Sequence, residues 1–571
     1  MNGALAMNAG ELLSLCKRRG FIWPSFEIYG GVAGMYDYGP LGTVLKDNII
    51  SMWRNAYKKG EGFVEIDSET VNPEQVFKAS GHIDEFSDFV VYCQGCNEPF
   101  RADHLVGDLH PNPDTLDAAG LKSLFVENGV RCPDCDGELG EVEEFNLMFK
   151  TNIGPGSSRV GYLRPETAQG IFVNFPHLYR YNREKLPLGV IQHGRGYRNE
   201  ISPRQGIIRL REFNMMEVEL FVDPEDKGWV RYPTIKDETL RLVPEDGRER
   251  SITVSEAVSE GIIANEVLAY FIWFTKDLLT RLGVDGERLR FRQHLSDEMA
   301  HYAMDCWDAE VLLSYGWTEI VGIADRGCWD LTQHAKWSKQ DMSHFKRFDE
   351  PKEIERDVLK AKYRELGPLF KGDAKEIARL IEERALADVD NGVLKVEFNG
   401  EMLDIPENLF EAVTVREKIS GEKVVPHVIE PSHGLDRIFY TILEHAYRRD
   451  DDYTVLSLRP EVAPIKVGVF PLMTRDGLDT KAEEIFRMLN DAGIDAYYDD
   501  SGSIGKRYAR MDEVGTPWCV TVDYETLEED RGTKDTVTLR DRDSSEQRRI
   551  PVVNLLNVMQ SLIKGEDFAS L

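Results

Sequence analysis

A chain of 571 residues with 42% hydrophobic and 30% charged side chains is too long for one core and should divide into three or four globular domains. Its longest apolar-rich stretch, Ile262 to Leu282, is interrupted by Asn265, Glu266, Lys276 and Asp277, which excludes a membrane span, and Met1–Glu11 lacks the features of a secretory leader, so the cytoplasm is the expected compartment. The net charge of −31 repels polyanions overall, so a nucleic acid would have to be met by local basic patches, and eight cysteines in this length do not make a disulfide scaffold.

Leu12–Lys17 reads as an amphipathic helix, and a glycine-rich connection follows from Tyr29 to Gly42. Val44, Leu45, Ile49, Ile50 and Trp53 then recur at helical spacing, and Phe63–Ile66 alternates like a strand. Residues 84–160 read as an insertion, turn-rich around Pro111, Asn112, Pro113, Asp136 and Gly137. Two Cys-x-x-Cys pairs, Cys93/Cys96 and Cys132/Cys135, bracket turn-rich sequence within it. Thiolates so spaced chelate one tetrahedral ion in pairs, and two pairs complete a closed zinc site with no position open for catalysis. The rival explanation is four reduced or redox-active thiols.

Residues 161–223 read as packed strands joined by short turns. A second insertion, 224–289, carries a hairpin-like Leu240–Val254 stretch and a helix over Asn265–Leu282. A third, 351–405, is expected to begin as a helix with Ile354, Val358, Leu359, Tyr363 and Leu366 on one face. Residues 1–83, 161–223, 290–350 and 406–459 remain as the body of the molecule, and 460–571 alternates strands and helices as a separate α/β unit.

Arg198-Asn-Glu200, Arg209-Leu-Arg-Glu-Phe213 and the distant Gly434-Leu-Asp-Arg437 place arginine clusters and interleaved carboxylates twice in one chain. Arginine's planar fork grips phosphate oxygens in pairs, a neighbouring carboxylate holds Mg²⁺ or a base amine, and an aromatic ring stacks on the base. This set suits a nucleoside triphosphate, and no P-loop occurs to serve it instead. For one Arg-x-Arg-Glu a structural ion pair is the ordinary explanation; for the ordered set it is not.

These residues resemble motif 2 (Arg198–Glu200 with Arg209–Phe213) and motif 3 (Gly434–Arg437) of the class II aminoacyl-tRNA synthetases, and the helix-strand stretch Gly39–Pro73 resembles motif 1, the dimerisation element. Tyr38-Gly-Pro-Leu-Gly42, Arg164-Pro-Glu-Thr-Ala-Gln-Gly170, Gly322-Ile-Ala-Asp-Arg326 and Glu430-Pro-Ser432 are similar to the glycyl-tRNA synthetases of the homodimeric archaeal and eukaryotic type, and the likeness runs through almost the whole chain. The resemblance implies an α/β fold in which an antiparallel catalytic sheet, flanked by helices, is followed by a C-terminal anticodon-binding domain. It implies ATP contacts from Arg198, Asn199, Glu200, Ile208, Arg209, Leu210, Arg211, Glu212, Phe213, Glu319, Ile320, Gly434, Leu435, Asp436 and Arg437, with Arg198, Glu200, Arg209 and Arg437 in the catalytic role. Glycine contacts are implied for Arg101, Glu166, Phe213, Asn214, Met215, Met216, Glu217, Arg326, Glu430, Pro431, Ser432, His433 and Gly434.

The implied partners are ATP, Mg²⁺, glycine, tRNA(Gly) and a second copy of the chain, with no membrane. In the C-terminal unit Lys506, Arg507, Arg510, Arg540 and Arg542 lie near loops, and Arg540 or Arg542 would read an anticodon base unless they belong to a plain solvated strand. Another class IIa amino-acid specificity and a synthetase-derived nucleic-acid-binding accessory protein are the rival readings; the second would have shed the ATP arginines, which stand here.

Overall fold

The computed structural model describes residues 9–107, 109–110, 113–156, 159–203, 206–295, 303–390, 392–450, 453–528 and 532–571. Most of the stretch read for a leader, and the Pro111–Asn112 turn, lie outside them. Among these residues no helix is long and apolar enough to cross a membrane.

The centre of the molecule is a nine-stranded sheet. In chain order its strands are β1 (Val64–Glu65), β2 (Leu188–Tyr197), β3 (Glu212–Val222), β4 (Thr239–Val243), β5 (Arg250–Thr253), β6 (Leu289–Gln293), β7 (Asp305–Leu313), β8 (Gly316–Gly327) and β9 (His427–Gly434). Their spatial order is β5-β4-β6-β7-β8-β9-β3-β2-β1. Only β1 with β2 and β4 with β6 run parallel; the other neighbours are antiparallel. Period-two alternation sorts β3 cleanly: Met216, Val218, Leu220 and Val222 turn into the main core, while Phe213 and Met215 face an open cleft on the other side.

Three helices cover the core face or flank it: α1 (Pro40–Asn55), α2 (Glu266–Leu282) and α3 (Leu435–Ala446). Proline at the first turn starts α1. A Cβ at Gly39 or Gly42 would overlap the backbone of Gly20 or Phe21, which explains why Tyr38-Gly-Pro-Leu-Gly42 needs its glycines. The Asn265 side chain caps α2 by accepting from Leu268 N–H at 2.9 Å, and Gly283 closes it at φ 108°. The helix is buried on most sides, so its apolar length belongs to a core rather than a bilayer. Phe271 and Phe274 of α2 pack against Tyr57 at centroid distances of 6.3 and 4.8 Å.

Residues 467–563 build a second sheet in the order 496–498, 467–471, 518–522, 536–541, 547–551; the first three strands are parallel and the last two antiparallel. Helices Leu478–Asp491, Ile504–Val514 and Val552–Ile563 cover it. Residues 343–424 form a compact unit of their own, a long hairpin of His344–Ala361 with Phe410–Val424 joined to a small three-stranded sheet and two helices, Tyr363–Phe370 and Ala374–Glu382.

Three expectations change here. The helix expected from Ile354 is a strand as far as Ala361, in register with Phe410–Val424. Ile354 and Val358 are four residues apart, a spacing that satisfies a period of two as well as 3.6, and the long-range partner decides the matter. Residues 239–282, read as part of an insertion, extend the main sheet and core. Within 161–223, helices Ala168–Val173 and Phe175–Tyr181 stand where only strands were expected.

A candidate nucleotide and amino-acid site on the central sheet

The cleft lies on the sheet face opposite the core, over β3, β8 and β9. Arg198, Glu200, Ile208, Arg209, Leu210, Phe213, Asn214, Met215, Glu319, Ile320, Ser432, Gly434, Asp436 and Arg437 all line it. The Arg198 guanidinium is held between two rings, 5.2 Å from the centre of Phe86 and 5.3 Å from that of Phe213. Arg437 is fixed from behind, its Nη1 donating to the Glu319 carbonyl at 2.7 Å and carboxylate at 2.9 Å and its Nε to the Ile208 carbonyl at 3.2 Å. The nearby Arg437 cation holds Glu319 below the usual carboxylate range against the effect of burial. Arg209 pairs with Glu200 at 3.6 Å.

Asp436 ties three motifs together. It accepts from the Asn214 N–H at 2.5 Å, from the Asn214 side chain at 2.9 Å, and from the Tyr38 hydroxyl. A Cβ on Gly434 would stand 3.3 Å from the Ile320 carbonyl, a tight approach that would make the neighbouring strand give by a few tenths of an ångström. Four residues expected on the nucleotide side do not line this cleft: Asn199, whose backbone N–H bonds the Leu147 carbonyl, Arg211, which turns to the Ala33 and Glu200 carbonyls, Glu212, which pairs with Arg195 in an adjoining hollow that shares Leu210, Asn214 and Asp436, and Leu435, which is buried in the core.

Deeper in the sheet an acidic niche gathers. Glu217 on β3 accepts from the Thr167 N–H at 2.6 Å and hydroxyl, and from Ser432 of β9 at 3.2 Å. Glu430 receives Arg326 at 2.8 Å, and Arg326 also donates to Asp330 at 2.9 and 3.2 Å. Glu166 accepts from Gln169 at 2.9 Å and has His82 at 3.6 Å. The charges interact. Burial, with Glu166 and Glu430 close by, pushes the Glu217 carboxyl up to about 7, whereas His82 and Arg326 hold Glu166 well below the usual range despite its burial. Glu219, two residues along β3 and fully buried, is pushed up by burial and by Glu430.

Pairing within the sheet corrects part of the expected glycine set. His433 lies opposite Met216, and both face the core: His433 is fully buried, its Nδ1 3.2 Å from the Met216 carbonyl and its ring against Trp53 and Tyr57. Pro431 sits opposite Ile323, a core residue. Arg101 is gripped by Asp88 at 2.9 Å and Asp103 at 2.6 Å and lines a separate hollow with His104 and Arg209. Residues that the sequence reasoning missed include Thr167 and Gln169, which stood inside the quoted Arg164–Gly170 stretch, and Asp330, four residues beyond Arg326. His82 and Phe86 carried no local signal. Their distance from the other site residues in sequence hid them.

The four cysteines converge. Cys93 Sγ is 3.4 Å from Cys135 Sγ and Cys96 Sγ is 3.7 Å from Cys132 Sγ, and all four sulfurs lie within 4.8 Å of one another. Sulfurs at the corners of a tetrahedron about 2.3 Å from a zinc ion would be about 3.8 Å apart, so the set fits. Both pairs use the same turn: Asn97 N–H returns to the Cys93 carbonyl and Asp136 N–H to that of Cys132, each at 2.9 Å, with Asn97 and Asp136 at φ 61° and 58°. Backbone N–H groups of Cys96 and Gly95 point at the Cys93 sulfur and draw its thiol down to about 6. No disulfide joins these thiols.

In the C-terminal sheet Arg540 and Arg542 are buried, and neither expectation for them holds. Arg540 is bonded to Asp512 at 3.1 and 3.2 Å over the Tyr508 ring, and Arg542 to Asp543 and the Gly515 carbonyl. They hold the strand edge to the helix Ile504–Val514. Lys506 of the same segment is exposed.

Residues 154–237 match the model of the tRNA synthetase class II core domain (G, H, P, S and T), and residues 466–562 match that of the anticodon binding domain. Over 97% of both chains the sequence is 50% identical to the glycine--tRNA ligase of Methanothrix thermoacetophila. It is 48% identical to that of Methanocaldococcus jannaschii over 97% of this chain and 99% of the other, and 46% identical to that of Archaeoglobus fulgidus over 98% of each. With the arginine-lined cleft, the acidic niche and the C-terminal sheet all in one chain, and identity of this degree along nearly its whole length, the protein belongs to the glycine--tRNA ligase family of class II aminoacyl-tRNA synthetases.

Proposed function

We propose that this protein attaches glycine to tRNA(Gly) in two steps, with Arg198, Glu200, Arg209 and Arg437 serving ATP and Glu166, Glu217, Glu430 and Ser432 serving glycine. The observation that carries the reading is the convergence of three carboxylates and a serine on one end of an arginine-lined cleft. Glycine offers only an ammonium, a carboxylate and an α-carbon. A pocket made of several carboxylates grips the ammonium, and larger amino acids are rejected by overlap, so no editing site is needed.

In the first step a glycine carboxylate oxygen attacks the α-phosphorus of ATP in line; the bond to the bridging oxygen breaks and pyrophosphate leaves. In the second, a terminal ribose hydroxyl of the tRNA attacks the glycyl carbonyl, losing its proton as AMP departs. Neither step needs a protein nucleophile. Arginines fixed before the reaction supply charge where it builds on phosphorus, and substrate alignment does the rest. Mg²⁺ would be held by Glu319 and the phosphates, lowering their negative charge, in keeping with a hard cation's need for oxygen ligands. Cys93, Cys96, Cys132 and Cys135 would hold a structural zinc ion.

We read the working form as a cytoplasmic homodimer. The exposed apolar side chains Phe26, Ile28, Tyr29, Val32 and Val44 beside and on α1 support a partner surface in the motif 1 region, and a solution mass of one chain would overturn this. ATP–pyrophosphate exchange against a panel of amino acids tests the activity. Exchange with glycine alone is expected; exchange with threonine and not glycine refutes the specificity, and no exchange at all refutes the enzyme.

The niche makes glycine binding depend on pH. Glu217 must be ionised to attract an ammonium, and burial with its acidic neighbours places its titration at about 7. Its attractive form is therefore present above that pH and lost below it. The KM for glycine is expected to rise as the pH falls from 8 to 6, by up to about tenfold per unit once Glu217 is protonated, while the KM for ATP changes little. A glycine KM constant over that range counts against Glu217 as an ammonium ligand.

A further inference from the structure

We infer that His82 is a positioning residue for the glycine pocket, fixing Glu166 from the side opposite Gln169. The inference rests on reading the acidic niche as the glycine site. Each niche carboxylate is held by a different device: Glu217 by the Thr167 N–H and hydroxyl, Glu430 by Arg326, and Glu166 by Gln169 on Oε1 with the His82 Nε2 facing Oε2 at 3.6 Å. Only the third device reaches the niche from outside the elements that carry the pocket. His82 precedes the four-cysteine insertion.

The imidazole is set in place before any ligand arrives. Its Nδ1 lies 2.8 Å from the Ser80 hydroxyl, and its ring packs edge-on against Phe77 and Phe86 at 5.9 and 5.6 Å. The Asn146 amide donates to the backbone carbonyls of His82 and Ile83 at 3.5 and 3.0 Å, pinning the short turn from across the insertion. With Nδ1 engaged by Ser80, Nε2 is the ring nitrogen left facing Glu166. The side chain is 14% exposed and that of Glu166 12%, so neither has bulk water as an alternative partner on all sides. Glycine presents no side chain to orient it. The direction of each carboxylate therefore decides how well the ammonium is held, and a carboxylate gripped on one oxygen only is free to swing.

Three variants separate this from a packing role. Glutamine carries an N–H where Nε2 stands, asparagine carries one only where Nδ1 stands, and alanine carries neither. In exchange assays with glycine and ATP varied separately, His82→Ala and His82→Asn are expected to raise the glycine KM by about tenfold, the scale of removing one partner from a nearly buried carboxylate, with the ATP KM within about twofold. His82→Gln is expected to stay within about threefold of wild type. If alanine prevents folding, the asparagine and glutamine pair decides. The inference is overturned if asparagine, which keeps the Ser80 contact, performs as well as glutamine or better, if glutamine is as poor as alanine, or if the glycine and ATP KM values rise together. A wild-type protein without glycine-dependent exchange would overturn the functional reading itself, which is a separate failure.

Discussion

Replacing Arg198 with alanine should lower kcat/KM for glycine-dependent ATP–pyrophosphate exchange by about 10²- to 10³-fold, the loss typical of removing one fixed donor from a developing charge. The guanidinium lies between the Phe86 and Phe213 rings, so its plane is set before ATP binds and little order has to be imposed on binding. Lysine should not rescue it. An ammonium on a flexible stem neither stacks between two rings nor offers two parallel N–H groups to a phosphate, so Arg198→Lys should recover less than about a tenth of the lost activity. Arg209 is a useful comparison, since it stands at the cleft with Glu200 at 3.6 Å and His104 at 3.4 Å and, among the described residues, is not held between two aromatic rings. Steady-state exchange kinetics on the wild type, Arg198→Ala and Arg198→Lys decide the point; a loss below tenfold in Arg198→Ala would remove Arg198 from the catalytic set.

The difference between Arg198 and its neighbours also shows what could be read from the sequence. Residues in short ordered motifs were legible: Arg198, Phe213, Glu217, Glu430 and Arg437 lie on strands or within three residues of a strand end, and the sheet sets those strands side by side. Strand alternation was the point at which a contiguous motif misled. Met216 and His433 lie within the expected stretches, yet a period of two turns them into the core beside Trp53. Residues brought in by tertiary packing were not legible. Phe86 and His82 come from the edge of an insertion, and nothing in their own neighbourhood marks them as part of a cleft built 80 or more residues later. The same holds for Arg540, whose alternation with acidic residues suggested solvent until Asp512, on a helix packed over the strand, proved to be its buried partner. The hairpin beginning at His344 fails for a related reason, because its partner strand lies beyond two helices and a small sheet.

The cysteine segment carries the second large effect, because its geometry joins metal to catalysis. Its own core is small, eight buried residues among those described, Cys93 and Cys132 included, around three short strands. A core of that size does not hold a fold without a staple, and a structural zinc site supplies about 10–16 kcal/mol of apparent binding energy in peptides. The protein should therefore contain one zinc ion per chain, and Cys132→Ser, or a strong chelator, should remove it. Without the ion, the knuckles at Asn97 and Asp136 lose the sulfurs that close them, and proteolysis between residues 94 and 138 should accelerate. The damage should then spread to the cleft. Strand 87–93 carries Cys93 and follows directly from the turn that supplies Phe86 to Arg198 and His82 to Glu166, so exchange activity should fall at least about tenfold through both substrates, as expected when supporting contacts to a metal-ordered site are lost. The sheet of residues 467–563 has a separate core and should keep its own protection from hydrogen exchange. Metal analysis that finds no zinc, with proteolysis and exchange unchanged in Cys132→Ser, would reduce the four thiols to packing.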